Sequence, residues 1–304
     1  MNTQSNVMDG SFDSQRIAPV SLSATRPMYW SLRRELWENR SIYLAPLAVA
    51  AVALFGFSLS SIAGIWEKPL QLNPAQPQAP YDMVAGLMML TGIVVSVFYC
   101  LDALHTERRD RSILFWKSLP VSDVTTVLAK ACIPLVILPL LTFAITVAMQ
   151  GIMLLLSSAV LLVSGLNVAT LWTNLSFLRR SGLLLYHILT AHALWPAPIY
   201  CWLLLVSGWP RRATFLWAAL PLVAIAGVEQ IAFHTWHFAA IVGSRLLGAG
   251  PTVASTSADM FPTDPMTHIS PVHFLGSPGL WIGLALAAVF LAAAVRLRRY
   301  REPI

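Results

Sequence analysis

Asp102, His105 and Glu107 fall within six residues of one another, and two carboxylates flanking an imidazole can relay protons or hold a metal. On a helix Asp102 and His105 share a face. No HExxH, no CxxC and no second ligand group accompanies them, so the usual zinc set is missing. The expected use is a polar network with Arg108 or Arg109 at a membrane edge. The histidines offer a second chemistry. His187 and His192 come first, His234 and His237 follow three apart, and His268 and His273 lie beyond. That distribution suits metal or proton binding, and equally ordinary interfacial imidazoles. Glu229 is the one carboxylate well inside an apolar run, where a charge is costly and by default functional. Counted from Ala213 at about 1.5 Å per residue, it lies about 24 Å along its span. Two readings therefore stand: a contact to substrate, or a pair with Gln230, His234 or an arginine of the outer face.

The densest charge occupies residues 105–126, HTERRDRSILFWKSLPVSDVTT. Glu107, Arg108, Arg109, Asp110 and Arg111 precede Ile113, Leu114, Phe115 and Trp116; Pro120 closes the run and Ser122–Asp123 restarts a helix. Each large ring left in water forgoes roughly 1.5 to 3 kcal/mol of burial, so Phe115 and Trp116 expect a partner surface or lipid headgroups. A short docking helix fits this order. Phe115, Trp116 and Leu119 would fill a groove on a partner, while Glu107, Arg108, Asp110 and Arg111 set register by charge pairs. Nucleotide hydrolysis by this chain is not expected. The lysines are Lys68, Lys117 and Lys130; only Lys117 precedes a Ser or Thr, and no glycine stands in residues 112–116 to cradle a phosphate. No pair of catalytic groups shares one depth, so no catalytic residue and no metal ligand is assigned.

The elements that position these groups are membrane helices. The chain is 57% hydrophobic and 11% charged, with mean hydropathy +0.66, far from the soluble average of about 25% charged. Apolar runs long enough to cross a hydrocarbon core of about 30 Å lie near 42–63, 83–104, 128–156, 184–207, 213–235 and 279–297. The expected fold is therefore all-α with six spans. With both termini inside, every Lys and Arg except Lys68, Arg179, Arg180 and Arg245 falls on the inner side, which argues against a seventh span and makes residues 158–181 an outer connector. The basic residues sit beside span ends, so the net charge of +6 points to anionic lipid and away from nucleic acid.

Residues 1–26 are polar, without an apolar leader core, and predict a disordered cytoplasmic arm before a membrane domain over 27–304. PMYWSLRRELWENR over 27–40 predicts an amphipathic interfacial helix. Met28, Leu32 and Leu36 form its apolar stripe, Arg33, Arg34 and Glu35 turn elsewhere, and Trp30 and Trp37 anchor it in the headgroup layer. Prolines 69, 74, 77 and 80 make residues 66–82 an extended outer cap. The outer segment 236–278 begins with an apolar piece at 236–248, too short to span, that predicts a helix dipping into the outer leaflet. Cys100, Cys132 and Cys201 lie in or at the ends of spans, form no CxxC pair and are expected to pack.

Taken together, RRELWENRSIYLAPL, DALHTERRDRSILFWKSLPVSD and YCWLLLVSGWPRRATFLWAALP resemble an ATP-binding-cassette transporter permease of the type-2 exporter family. The resemblance covers most of residues 27–304 and lies in diffuse motifs. It implies a permease subunit of the bacterial cytoplasmic membrane that pairs with a second copy of itself and docks on two copies of a separate ATPase. ATP and magnesium would belong to that partner, and this chain would hold no cofactor. It also implies that residues 110–119 form the coupling helix, and that a re-entrant outer segment precedes the last span. The spans are rich in Leu, Ala and Val, which favours an amphipathic cargo. The alternative is a secondary transporter or channel that needs no ATPase.

Overall fold

Uninterrupted runs of Leu, Ala and Val leave the backbone no partner but itself in an apolar medium, and the helix is the local solution. The computed structural model describes residues 25–67, 79–110, 121–163, 165, 168–169, 172, 177–210, 212–247 and 271–300. Among these, every regular element is helical. The chain opens with α1 (Thr25–Glu38), α2 (Ser41–Glu67), α3 (Ala79–Asp102) and the short α4 (His105–Arg109). It continues as α5 (Asp123–Cys132), a π-helical turn π1 (Ile133–Ile137) and α6 (Leu138–Val163), without a break between them. Next come α7 (Phe177–His187), a second π-helical turn π2 (Ile188–Leu194) and α8 (Ala197–Ser207). The last elements are α9 (Thr214–Phe233), α10 (His237–Leu247), α11 (Pro271–Gly276) and α12 (Pro278–Tyr300).

Five of these helical stretches are long and apolar enough to cross a membrane, and the bent pair Phe177–Leu194 with Ala197–Ser207 makes a sixth if taken as one span. The protein thus has the all-α make-up of a multi-pass membrane protein, and each of the six expected apolar runs falls on one of these stretches. Their lengths differ from expectation. Asp123–Val163 is one helical column of 41 residues, about 60 Å at 1.5 Å per residue, twice the hydrocarbon thickness. The column is thus longer than one crossing needs, and its charged end, α5, is started by Ser122, whose hydroxyl accepts the Thr125 N–H at 3.1 Å. The fourth span begins at Phe177, so Arg179 and Arg180, expected on a surface connector over 158–181, lie on a helix instead. Arg180 pairs there with Asp82 of α3, and that pairing makes its place on the helix tolerable.

The core follows from the packing. α8 lies along α12 and α3, α2 along α6 and α3, and α1 across α5. Ile42, Tyr99, Cys100, Ile133, Leu138, Tyr200 and Leu204 form its largest buried cluster, joined by Leu32 and Leu36 of α1. Burying Leu or Ile rather than exposing it contributes roughly 1.5–3 kcal/mol per side chain. Prolines shape two of the columns: Pro134 lies within the π1 register shift and Pro139 just after it, and Pro196 and Pro198 follow π2, where the fourth span bends by 43°. Each proline removes one N–H from the helical ladder, which a local π turn accommodates.

α10 is a separate short helix over residues 237–247, set against α9, α8, α3 and π2. It occupies the place expected for the short apolar piece at 236–248; residues 248–270, the greater part of the expected outer segment 236–278, lie outside the described residues. So do residues 1–24 of the expected arm and residues 68–78 of the expected cap.

Candidate functional site

The residues that the sequence groups in one loop separate at its base. α3 ends at Asp102, and the chain turns into α4, whose five residues carry Glu107 and Arg108 inward and Arg109 outward. Glu107 meets three cations: Arg298 Nη1 at 3.1 Å, Lys130 Nζ at 3.3 Å and Arg34 Nη2 at 3.3 Å. Lys130 also binds Glu35 Oε1 at 2.7 Å, and Arg298 reaches Asp123 Oδ1 at 3.2 Å. Glu35 accepts further bonds from the Tyr99 hydroxyl at 2.9 Å and from Asn39 Nδ2 at 3.4 Å. Arg34 is shared with Glu38 at 2.7 Å. Arg34, Lys130 and Arg298 thus face Glu35, Glu107 and Asp123, with Glu38 as a fourth carboxylate on the exposed side of Arg34. A buried ion left alone would be costly to withdraw from water, and the opposite charges around it offset part of that cost.

Five elements supply this cluster: α1, α3, α4, both ends of α5, and the last turn of α12. It lies where the 105–126 segment leaves and re-enters the bundle. Arg108 fastens the same base to a sixth element. It donates to the Gly208 carbonyl at 2.5 Å and the Trp209 carbonyl at 3.4 Å, just past the end of α8. The Leu104 N–H donates to Ser207 Oγ beside them at 3.3 Å. A Cβ on Gly208 would come within 3.1 Å of the Leu297 side chain, which would have to give by a few tenths of an ångström.

Two sequence expectations change accordingly. Glu107 and Arg108 are 4% and 6% exposed and spend their charge inside the chain, so they cannot set register against an external partner by direct charge pairs. Glu35, expected on the interfacial face with Arg33 and Arg34, is 2% exposed and turned to Lys130, with Arg34 following it towards Glu107. Trp30, Trp37 and Arg33 do remain on the open face of α1, where the Arg33 guanidinium lies 5.3 Å from the Trp30 ring and 6.0 Å from that of Trp37. Asp110 is exposed and takes a bond from Arg109 at 3.2 Å. Arg111, Phe115, Trp116, Leu119 and Pro120 lie outside the described residues.

Asp102 and Glu107 do not share a site: Asp102 accepts the Thr106 hydroxyl at 2.6 Å on an exposed surface, remote in role from the buried cluster. Glu229 is likewise resolved. Its carboxylate accepts the backbone N–H of His237 and of Phe238, both at 2.8 Å, and the Thr235 hydroxyl at 2.9 Å. His234 ends α9 in a left-handed conformation (φ 53°), which turns the chain back over Glu229. The carboxylate thereby satisfies the free N–H groups and positive dipole end of α10. Neither Gln230, nor His234, nor an arginine is its partner.

The far end of α10 is held by a group that sequence inspection passed over. Arg245 stacks on Trp195 at 4.6 Å and donates to the Gly279 carbonyl at 2.6 Å and the Trp195 carbonyl at 3.3 Å. Trp195 returns a bond to the Ser244 carbonyl at 3.2 Å. Gly283 leaves room for the guanidinium: a Cβ there would lie 2.3 Å from Arg245 Nη1. Its only sequence signal was a lone arginine in an apolar stretch.

Among the described residues no three His, Cys, Asp or Glu side chains converge as a metal site requires. His234 and His237 are exposed, whereas His187 is buried and its ring lies 5.5 Å from that of His192. Cys100 and Cys201 are buried thiols within the helical core. No family model, curated protein or solved structure matches the chain.

Proposed function

We propose that this protein is the permease subunit of an ATP-driven exporter of the type-2 cassette kind, working as a homodimer on a separately encoded ATPase. One observation supports the reading most: Glu107, at the base of the 105–126 segment, is ion-paired to α1, α5 and α12 at once. Transmission from a docked ATPase needs a stiff handle, because a force applied to a loose loop is dissipated in the loop. A handle whose root is locked to several helices instead tilts them together. In this reading α4 and the segment after it face the cytoplasm, as do both termini, in a bacterial inner membrane. α1 lies in the headgroup layer with Trp30 and Trp37 towards lipid, and α10 dips into the outer leaflet.

Residues of the loop divide the labour. Glu107 and Arg108 hold the handle to the bundle, while Phe115, Trp116 and Leu119 contact the ATPase, with Asp110 and Arg111 beside them and Pro120 closing the segment. Cargo is carried unchanged, and the nucleotide and magnesium belong to the partner.

A second reading, a secondary transporter powered by an ion gradient, is favoured by one observation: His187 and His192 lie in ring contact within a span, where ionisable side chains mark ion paths. One experiment separates the two. The protein is purified in mild detergent and tested for a stoichiometric ATPase companion, then for the effect of Phe115→Ala with Trp116→Ala on that association. The double variant should stay folded and lose the companion. Unchanged binding and ATPase stimulation overturn the coupling assignment, and cargo uptake driven by an ion gradient in vesicles lacking any ATPase establishes the second reading.

A further inference from the structure

We propose that each chain holds a polar site halfway along its helical bundle, between Thr142 and His192, that binds a small hydroxylic guest: a water molecule or a single alcohol group. The proposal rests on neither reading of transport. Thr142 stands at the middle of the column Asp123–Val163, and His192 at the middle of the bent pair Phe177–Ser207. Both line a small cavity of about 20 Å³, room for a water-sized guest and far below the clefts of roughly 300 Å³ and more that take drug-sized ligands. α3, α6, π2 and α8 all contribute to its wall, with Gly92, Ser96 and Tyr200 among the lining residues.

Its polar groups are of two kinds. Ser96 and Tyr200 place hydroxyls on the wall. Thr142 Oγ1 and His192 Nδ1 are buried and find no hydrogen-bond partner among the described residues, with Thr142 only 4% exposed. Such orphans are rare, because burying a polar atom unpaired is unfavourable. The absence of a side chain on Gly92 keeps the space beside the hydroxyl open: a Cβ there would lie 3.1 Å from Thr142 Oγ1.

The chemistry selects the guest. No carboxylate and no cation lines the wall, which disfavours both a metal ion and an anion. A neutral imidazole nitrogen accepts or donates according to its tautomer, and a threonine hydroxyl does both. A water or an alcohol also does both, so it can satisfy the two atoms in either tautomer. The register shifts lie close by: π2 contains His192, and π1 ends at Ile137, beside the lining residues Leu138 and Pro139. π turns of this sort recur at functional sites, and a polar guest here would let the two columns exchange hydrogen bonds as they move.

The sign of a near-isosteric substitution tests this. Full-length protein in nanodiscs of phosphatidylethanolamine and phosphatidylglycerol is compared with Thr142→Val, Thr142→Ser, His192→Phe and Thr142→Val/His192→Phe by thermal melting. With a guest bound, Thr142→Val melts below both wild type and Thr142→Ser, and adds little once His192→Phe is present. If the site is dry, replacing an orphan hydroxyl by a methyl leaves the melting temperature unchanged or raises it, and that outcome overturns the proposal, as do strictly additive losses. Should His192→Phe fail to fold, the comparison of Val with Ser at position 142 decides alone. Repeating that comparison in detergent stripped of lipid names the source. A persisting difference identifies water, a difference lost with the lipid identifies a lipid hydroxyl, and both uphold the site.

Discussion

Lys130 Nζ lies 2.7 Å from Glu35 Oε1, with both side chains almost wholly withdrawn from solvent. The two residues stand 95 positions apart, so the contact fixes α1 against α5 and cannot be a local helix pair. Removing one member of a buried pair typically costs about 3–5 kcal/mol, since the other is left charged and unpaired. Lys130→Met is therefore expected to lose stability on that scale in detergent unfolding. Glu35→Gln in the Lys130→Met background should recover a large part, because Arg34 and Arg298 still neutralise Glu107. Additive losses in the double-mutant cycle would sink the assignment of Glu35 as the partner of Lys130.

Arg298 carries the same cluster to the end of the last helix, where it faces Glu107 and Asp123 together. Its planar fork reaches two carboxylates at once, and an ammonium on a single stem does not. Arg298→Lys is accordingly expected to behave much like Arg298→Gln, with faster amide hydrogen exchange over residues 123–130 and 294–300. Exchange in α10, which touches none of these groups, should stay as in wild type. Protection in the first turns of α5 that survives both changes would show that Asp123 does not depend on Arg298.

How far these arrangements could be read from sequence depends on distance and depth. Apolar length alone located the six stretches, and Ser122–Asp123 marked the start of α5. The pairing of Lys130 with Glu35 and Glu107 was not legible, because nothing local links α1, α4 and α5. A signal did exist. Glu35 lies three residues after Leu32 and beside Leu36, at the edge of the buried stripe of α1, and Lys130 is the last charge before a long neutral run that ends only at Arg179. The depth of His192 was not legible for a different reason. Starting its span at residue 184 put it near an end, whereas the helix begins at Phe177, about 10 Å earlier, and carries His192 to the middle. The amphipathic first turns, FLRRSG, disguised that extension as a loop until Asp82 supplied a partner for Arg180.

Glu229 is expected to matter for structure before chemistry. It caps α10 from the preceding helix, and its loss leaves the first N–H groups of α10 without their acceptor. Glu229→Ala should raise amide exchange at residues 237–241 several-fold while the melting of the bundle moves little. A variant that abolishes transport with unchanged exchange in α10 would restore a substrate role for this carboxylate.

The opposite end of α10 offers a sharper geometric test. A Cβ on Gly283 would come within 2.3 Å of Arg245 Nη1, in a guanidinium already committed to the Trp195 ring and the Gly279 carbonyl. The tip of an arginine can swing aside, but doing so forfeits those bonds, so Gly283→Ala is expected to destabilise by about 1–3 kcal/mol, as overpacking does. Arg245→Ala removes the same docked group by another route. The two changes combined should therefore cost little more than Arg245→Ala alone, because the added methyl no longer meets an obstacle. Equal and independent losses in detergent melting would mean that Gly283 is small for some reason other than Arg245, and that α10 is held at this end by different contacts.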